Sequence, residues 1–171
     1  MLETILLPSL RLFWPDARLV LVVDDTPEGR QLATRCGNAA AGGALSTRAV
    51  LAPTSGLGPW NEGQQLRLRA DEFTTSEFVG FVDADTLFVT PVHTAAIFDP
   101  AGRPRIRARA GAPANSFWWA ASESTQFLLG VPEIGRCMSF FPVIVRRKHL
   151  RSLREHIENA HGESLGAVFN G

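Results

Sequence analysis

An apolar run over residues 78–82 is followed at once by Asp83 and Asp85, and apolar residues resume at Leu87. The run has the length and the β-branched and aromatic content of a buried strand, which would reach the surface where the acids begin. Side chains two apart on an extended backbone point the same way, so we expect both carboxylates at one spot. Two such charges repel each other unless a cation lies between them. The pattern therefore predicts a site for Mg²⁺ or Mn²⁺, which bind hard oxygen ligands and substrate phosphates.

The same two acids have a simpler interpretation. Asp residues at the end of a strand often hydrogen-bond the backbone of the next turn, and Asp-x-Asp also occurs by chance. The apolar flanks on both sides, and the separation of the pair from other charges, favour the metal site.

The order of predicted elements indicates an α/β sheet with parallel strands. The expected elements are a helix at 2–13, a strand at 18–23, a helix at 27–36, a strand at 48–51, a helix at 61–73 and the strand before Asp83. Asp24 and Asp25 follow the first strand in the same way. Ligands of open sheets bind beyond the carboxyl ends of the strands, so both acidic pairs are expected at one site.

The second half of the chain has a different character. It predicts a turn at 98–104, an alternating half-exposed strand at 105–109, an apolar strand at 137–145 and an amphipathic helix at 148–160. Pro142 implies an edge or a bulge in the strand, and His161-Gly162 is expected to end the helix.

Length and composition restrict the class of protein. A chain of 171 residues, 45% hydrophobic and 20% charged, is typical of one globular domain. Its 17 basic and 17 acidic residues cancel, so we expect no nucleic-acid partner. Cys36 and Cys137 lack metal-ligand spacing and are expected to be buried free thiols. No run approaches the ~18 apolar residues of a membrane span, and the N-terminal residues make a poor signal peptide.

Residues 19–25 and 81–85 resemble the corresponding segments of nucleotide-sugar glycosyltransferases with the GT-A fold. The resemblance covers about residues 2–92 and, more weakly, 117–157. It implies one Rossmann-like domain over 1–171, with a mixed, mostly parallel sheet flanked by helices. Residues 1–92 would form the nucleotide-sugar and metal half and 93–171 the acceptor half. Such domains open with a strand before the first helix, so the resemblance also implies an incomplete domain, truncated at both ends.

The resemblance also implies roles for individual residues. Asp85 is the expected direct ligand of Mn²⁺ or Mg²⁺, and Asp83 contacts the metal through water or holds the ribose. Asp24 or Asp25 would lie near the nucleoside. Arg67, on the helix before the motif, would face the phosphates.

Further residues are assigned less specifically. Gln64 or Gln65 is expected to face the nucleotide from the helix of Arg67. Trp118 and Trp119 would stack on an acceptor sugar, although adjacent indoles are often divided between core and surface. A general base would be Glu123 or Glu133, between which the sequence does not choose. His161 is the one late histidine that suits a metal, but a solvated histidine at a helix end is the commoner case.

The implied activity is metal-dependent transfer of a sugar from a nucleoside-diphosphate sugar to a hydroxyl of a glycan, protein or small-molecule acceptor. One alternative is an inactive, truncated domain that binds a nucleotide sugar or serves as a scaffold. Another is a haloacid-dehalogenase-like phosphatase, whose first motif aspartate is a nucleophile. Here Thr86 follows Asp85 one position too early for that motif, and about eighty residues precede it.

Overall fold

The computed structural model describes residues 1–40, 45–53, 56, 58–106, 126–130 and 141–170. Its elements are a π-helical turn (Leu2–Leu6), α1 (Leu7–Phe13), β1 (Arg18–Asp24), α2 (Pro27–Ala40), β2 (Ser46–Ala52), α3 (Pro59–Leu68), a 3₁₀ turn (Ala70–Glu72), β3 (Phe78–Phe81), α4 (Thr94–Ile97), β4 (Val143–Arg146), α5 (Arg147–His161) and α6 (Leu165–Asn170). Residues 126–129 form one further helical turn.

The strands of the described residues form two separate two-stranded sheets. β1 and β2 run parallel, from Arg18 opposite Ser46 to Asp24 opposite Ala52. β3 and β4 run antiparallel, with Phe78 opposite Arg146. The α/β class is therefore confirmed, but the expectation of parallel strands holds for β1 and β2 alone. A helix between two strands predicts that the strands are parallel, as β1 and β2 are on either side of α2. β4 lies in the second half of the chain and is not joined to β3 by such a unit, so its direction could not be predicted.

The main core lies between α1, α2 and the segment after the acidic motif. Leu6, Leu7 and Leu10 are buried at helical spacing and pack with Cys36 and Phe88. Pro8 lies in the first turn of α1, where its fixed φ is compatible with a helix. Cys36 is a buried thiol, as predicted, whereas Cys137 lies outside the described residues.

A buried serine joins α1 to the chain that follows the motif. The Ser9 hydroxyl donates to the Leu6 carbonyl at 3.0 Å and accepts from the Phe88 backbone N–H at 3.2 Å. Because both of its hydrogen-bonding roles are satisfied, Ser9 can be buried at little cost. This contact fixes the position of the backbone three residues beyond Asp85.

The start of α2 packs very closely on the end of β1. The Thr26 hydroxyl accepts from the Gly29 N–H at 3.1 Å, as expected for a cap residue. A Cβ at Gly29 would lie 2.0 Å from the Asp24 carbonyl oxygen, so a side chain cannot fit there. α2 runs on to Ala40, beyond the predicted end near Cys36. The residues that α2 adds beyond Cys36 include Ala39 and Ala40, and alanine has the highest helix propensity.

The remaining sequence predictions have mixed outcomes. The helix expected at 61–73 is present as α3 and a 3₁₀ turn, and α5 matches the helix expected at 148–160. Gly162 ends α5 with a φ of 68°, as predicted. Asp99 accepts from two backbone N–H groups in the predicted turn at 98–104.

Two strand predictions needed correction. Residues 105 and 106 are not in a strand, and 107–109 lie outside the described residues. Of the strand predicted at 137–145, residues 137–140 lie outside the described residues, and β4 begins at Val143, directly after Pro142, which has no N–H for a sheet ladder. In the described ranges, no helix is long and apolar enough to cross a membrane.

Candidate functional site

Asp83 and Asp85 lie in a hydrogen-bonded turn that follows β3. The strand ends at Phe81, and the Thr86 N–H donates to the Asp83 carbonyl at 3.0 Å. The Asp83 N–H donates in turn to the Thr86 hydroxyl at 3.2 Å. The expectation that both acids lie on extended backbone was therefore wrong. The Thr86 hydroxyl offers the Asp83 backbone a local partner in place of a sheet ladder.

Arg67 and Asp83, sixteen positions apart, form an ion pair between α3 and this turn. Arg67 Nη2 lies 2.6 Å from Asp83 Oδ1, and the two side chains are 32% and 39% exposed. A contact this short between ionised groups is a charge-assisted hydrogen bond. The structure thus brings together two of the residues that the sequence assigned to one ligand. Asp85 is exposed in the same turn, and its carboxylate has no hydrogen bond or ion pair with the described residues.

A small cleft of about 50 Å³ lies at the carboxyl ends of the two parallel strands. One wall comes from the ends of β1 and β2, and the other comes from α3 and Phe73. The side chains that give the cleft its chemistry are Asp24, Glu62, Gln65, Arg69 and Phe73. Its carboxylate, amide and aromatic groups can contact only part of a polar ring compound, because pockets that enclose a whole small molecule usually measure ~300–1,000 Å³.

The cleft distinguishes between residues that the sequence left as alternatives. Of the two acids at the end of β1, Asp24 lines the cleft, whereas Asp25 forms an ion pair with Arg30 at 2.6 Å. The hydrogen bond from Arg30 lowers the pKa of the Asp25 carboxyl. Of the two glutamines on α3, Gln65 lines the cleft and Gln64 does not.

The end of α3 is held by Arg154 of α5, a residue that the sequence predictions missed. Arg154 Nη1 donates to the Leu68 carbonyl at 2.6 Å, and its guanidinium engages both carboxylate oxygens of Asp71, with Nη2 at 3.0 Å from Oδ2. Asp71 is buried, and the hydrogen bond from Arg154 lowers the pKa of its carboxyl. One signal was present in the sequence. Arg154 interrupts the apolar stripe of α5, and a charge at such a position needs a partner.

The carboxylates suit a metal that arrives with a substrate. Within the ranges that the structure covers, no three His, Cys, Asp or Glu side chains group closely enough to hold a metal. Mg²⁺ in nucleotide sites is commonly bound through one or two carboxylates, with phosphate oxygens and water completing its shell. Asp83 and Asp85 offer hard oxygen donors within one turn, so the donor set fits a metal–diphosphate complex better than a closed protein cage.

His161 contacts other parts of the second half. Its Nε2 lies 3.3 Å from the Leu128 carbonyl oxygen, and its ring centroid is 5.1 Å from that of Phe127. The side chain is half-buried, so His161 is less solvated than expected for a histidine at a helix end. The acceptor-side residues Trp118, Trp119, Glu123 and Glu133 lie outside the described residues.

No protein-family model matches the chain, and no curated protein or solved structure matches it significantly. The resemblance to glycosyltransferases therefore depends on the residues already named.

Proposed function

We propose that the chain is a metal-dependent glycosyltransferase of the GT-A type. It would transfer a sugar from a nucleoside-diphosphate sugar to an acceptor hydroxyl. The observation that carries the proposal is the contact between Arg67 and Asp83 in the turn that also holds Asp85. A guanidinium bound to one carboxylate, with a second carboxylate in the same turn, supplies both kinds of group that a metal-bound diphosphate requires.

The cleft at the ends of β1 and β2 has side chains that suit part of a nucleoside. α3 contributes Gln65 to the cleft and Arg67 to the ion pair, two positions apart on the helix. Asp24 can accept hydrogen bonds from a ribose diol or a base N–H. Phe73 offers an apolar ring to a flat base.

The chemistry follows from these groups. The bond between the anomeric carbon and the diphosphate oxygen breaks, a bond from the acceptor oxygen forms, and the acceptor loses its proton. Arg67 would stabilise the negative charge that develops on the departing diphosphate. Asp83 and Asp85 would hold Mn²⁺ or Mg²⁺, which when bound acts as a Lewis acid toward the same oxygens. The second half would supply the acceptor side, with Trp118 or Trp119 against the sugar and Glu123 or Glu133 as a general base.

Calorimetry with UDP, GDP and their sugars, with and without Mn²⁺, tests the proposal. We expect binding that requires Mn²⁺ and weakens by about 100-fold or more in Asp85→Ala, since such charge stabilisation is worth several kcal/mol. Asp16→Ala is the matched control, because Asp16 is also an exposed acid in a turn. Unchanged binding in Asp85→Ala would refute the assigned site.

Turnover separates the proposal from its alternatives. Sugar transfer with a panel of acceptors would establish the enzyme. Metal-dependent binding without transfer would instead favour a nucleotide-sugar-binding domain without activity. No binding of any nucleotide by a folded sample would favour the scaffold, and release of phosphate from a phosphomonoester would favour the phosphatase.

A further inference from the structure

We propose that the Arg67–Asp83 ion pair makes metal binding and diphosphate binding depend on each other. In the free protein, the Arg67 guanidinium is bound to the Asp83 carboxylate and so competes with a divalent cation for that carboxylate. A diphosphate offers Arg67 another partner and thereby releases Asp83 to the metal. This inference rests on the proposed function, because it concerns the same metal–diphosphate site.

The contact itself has the properties of a pair that can open. It joins one nitrogen of Arg67 to one oxygen of Asp83, and no other hydrogen bond links either side chain to the described residues. About a third of each side chain is exposed, so water can solvate both groups when they separate. Ion pairs with this exposure are weak, and a stronger ligand can replace them.

Diphosphate is a better partner for Arg67 than Asp83 is. A guanidinium has five N–H donors in a planar fork, which can bind two phosphate oxygens at once. Its present contact uses a single nitrogen. Moving to a diphosphate would therefore add hydrogen bonds and a second negative charge.

The Asp83 backbone is already held in place for the exchange. Two hydrogen bonds with Thr86, at 3.0 Å and 3.2 Å, fix the turn whether or not Arg67 is present. Arg154 holds the other side by binding the Leu68 carbonyl, one residue beyond Arg67. The exchange thus requires a change of side-chain position and leaves both backbones where they are.

Titration with MnCl₂, followed by electron paramagnetic resonance of free Mn²⁺, tests the coupling. In the wild-type chain we expect UDP or GDP to tighten Mn²⁺ binding by about tenfold or more. In Arg67→Met, Mn²⁺ alone should bind about fivefold tighter, as expected for the loss of an exposed ion pair. The added effect of the nucleotide should fall by a similar factor.

Two further variants make the result specific. Arg35→Met removes an arginine that pairs with Glu3 on the surface, and it should leave Mn²⁺ binding unchanged. In an Asp83→Asn background, Arg67→Met should no longer tighten Mn²⁺ binding, because the competition has been removed. Far-ultraviolet circular dichroism confirms that each variant is folded.

The outcomes separate the two proposals. If wild type and Arg67→Met bind Mn²⁺ alone equally, while Mn²⁺-dependent nucleotide binding persists, the coupling is overturned and the proposed function stands. If Arg35→Met tightens Mn²⁺ as much as Arg67→Met does, net charge explains the effect and the inference is again overturned. If the folded wild type binds no nucleotide with Mn²⁺, the proposed function fails and the coupling fails with it.

Discussion

Arg154 and Asp71 form an ion pair whose side chains are 14% and 6% exposed, whereas the side chains of Arg67 and Asp83 are 32% and 39% exposed. In the first pair the guanidinium meets both carboxylate oxygens and also binds a backbone carbonyl. In the second pair one nitrogen meets one oxygen. The same two residue types therefore serve different purposes at two nearby points. The buried pair fixes the end of α3 against α5, and the open pair is free to exchange partners.

The largest effect on stability is expected from Arg154→Met. This variant leaves the Asp71 carboxylate buried without a cation and removes the donor to the Leu68 carbonyl. Breaking a buried pair on one side costs about 3 kcal/mol or more in the free energy of unfolding. Urea unfolding followed by circular dichroism measures the difference. A loss below about 1 kcal/mol would contradict the distinction between the two pairs.

A smaller effect, with a characteristic pH dependence, is expected from Asp71→Asn. The neutral amide keeps an acceptor for Arg154 but loses the charge, at a cost of about 2 kcal/mol at pH 7. Because Arg154 lowers the pKa of Asp71 in the folded state, the stabilisation is complete above the unfolded pKa of about 3.9. It is lost as the pH falls through the lower, folded pKa.

Unfolding free energies measured from pH 7 to pH 2 test this linkage. The wild type should lose more stability below about pH 4 than Asp71→Asn does, so that the two curves converge in acid. Parallel curves would mean that Asp71 titrates normally, and the pair would then stabilise the fold less than its burial implies.

Much of the fold could be predicted because the sequence patterns that determine it lie within short segments of the chain. Helical spacing of apolar residues located α1, and the cap at Thr26 marked the start of α2. The antiparallel pairing of β3 with β4 joins segments about sixty positions apart, and alternating polarity carries no information on strand direction. The contact of Arg154 with Asp71 spans 83 positions and depends on the packing of α5 against α3. The interrupted stripe of α5 indicated that a partner existed without saying which.

The residue types of the candidate site could be predicted from the sequence better than its backbone conformation. The acids at 83 and 85 were identified because carboxylates after an apolar run are conspicuous. Their conformation was mispredicted, since a threonine hydroxyl at position 86 decides between strand and turn. Asp24 and Asp25 are adjacent in sequence. The difference between them depends on Arg30, which binds Asp25 and leaves Asp24 to line the cleft.

Thr86→Val would test whether the turn holds Asp83 ready for a ligand. Valine keeps the shape of threonine but leaves the Asp83 N–H without its 3.2 Å acceptor. We expect a loss of about 1 kcal/mol in unfolding free energy, the usual contribution of one hydrogen bond. Mn²⁺-dependent nucleotide binding should weaken by more than this loss alone explains, whereas Thr86→Ser should retain both properties. Equal behaviour of the valine and serine variants would exclude the hydroxyl from the role.

The smallest effect on stability is expected from Arg67→Met, and it completes the contrast with Arg154→Met. Methionine keeps an apolar stem, and the Asp83 side chain that it leaves without a partner is 39% exposed and can be solvated. The free energy of unfolding should therefore change by no more than about 0.5 kcal/mol. Added salt should further reduce the small difference in unfolding free energy between the wild type and Arg67→Met. Salt screens exposed charges more than it screens the buried Arg154–Asp71 pair. If Arg67→Met instead destabilised the chain as much as Arg154→Met, both pairs would be structural, and the exchange of partners at Asp83 would lose its physical basis.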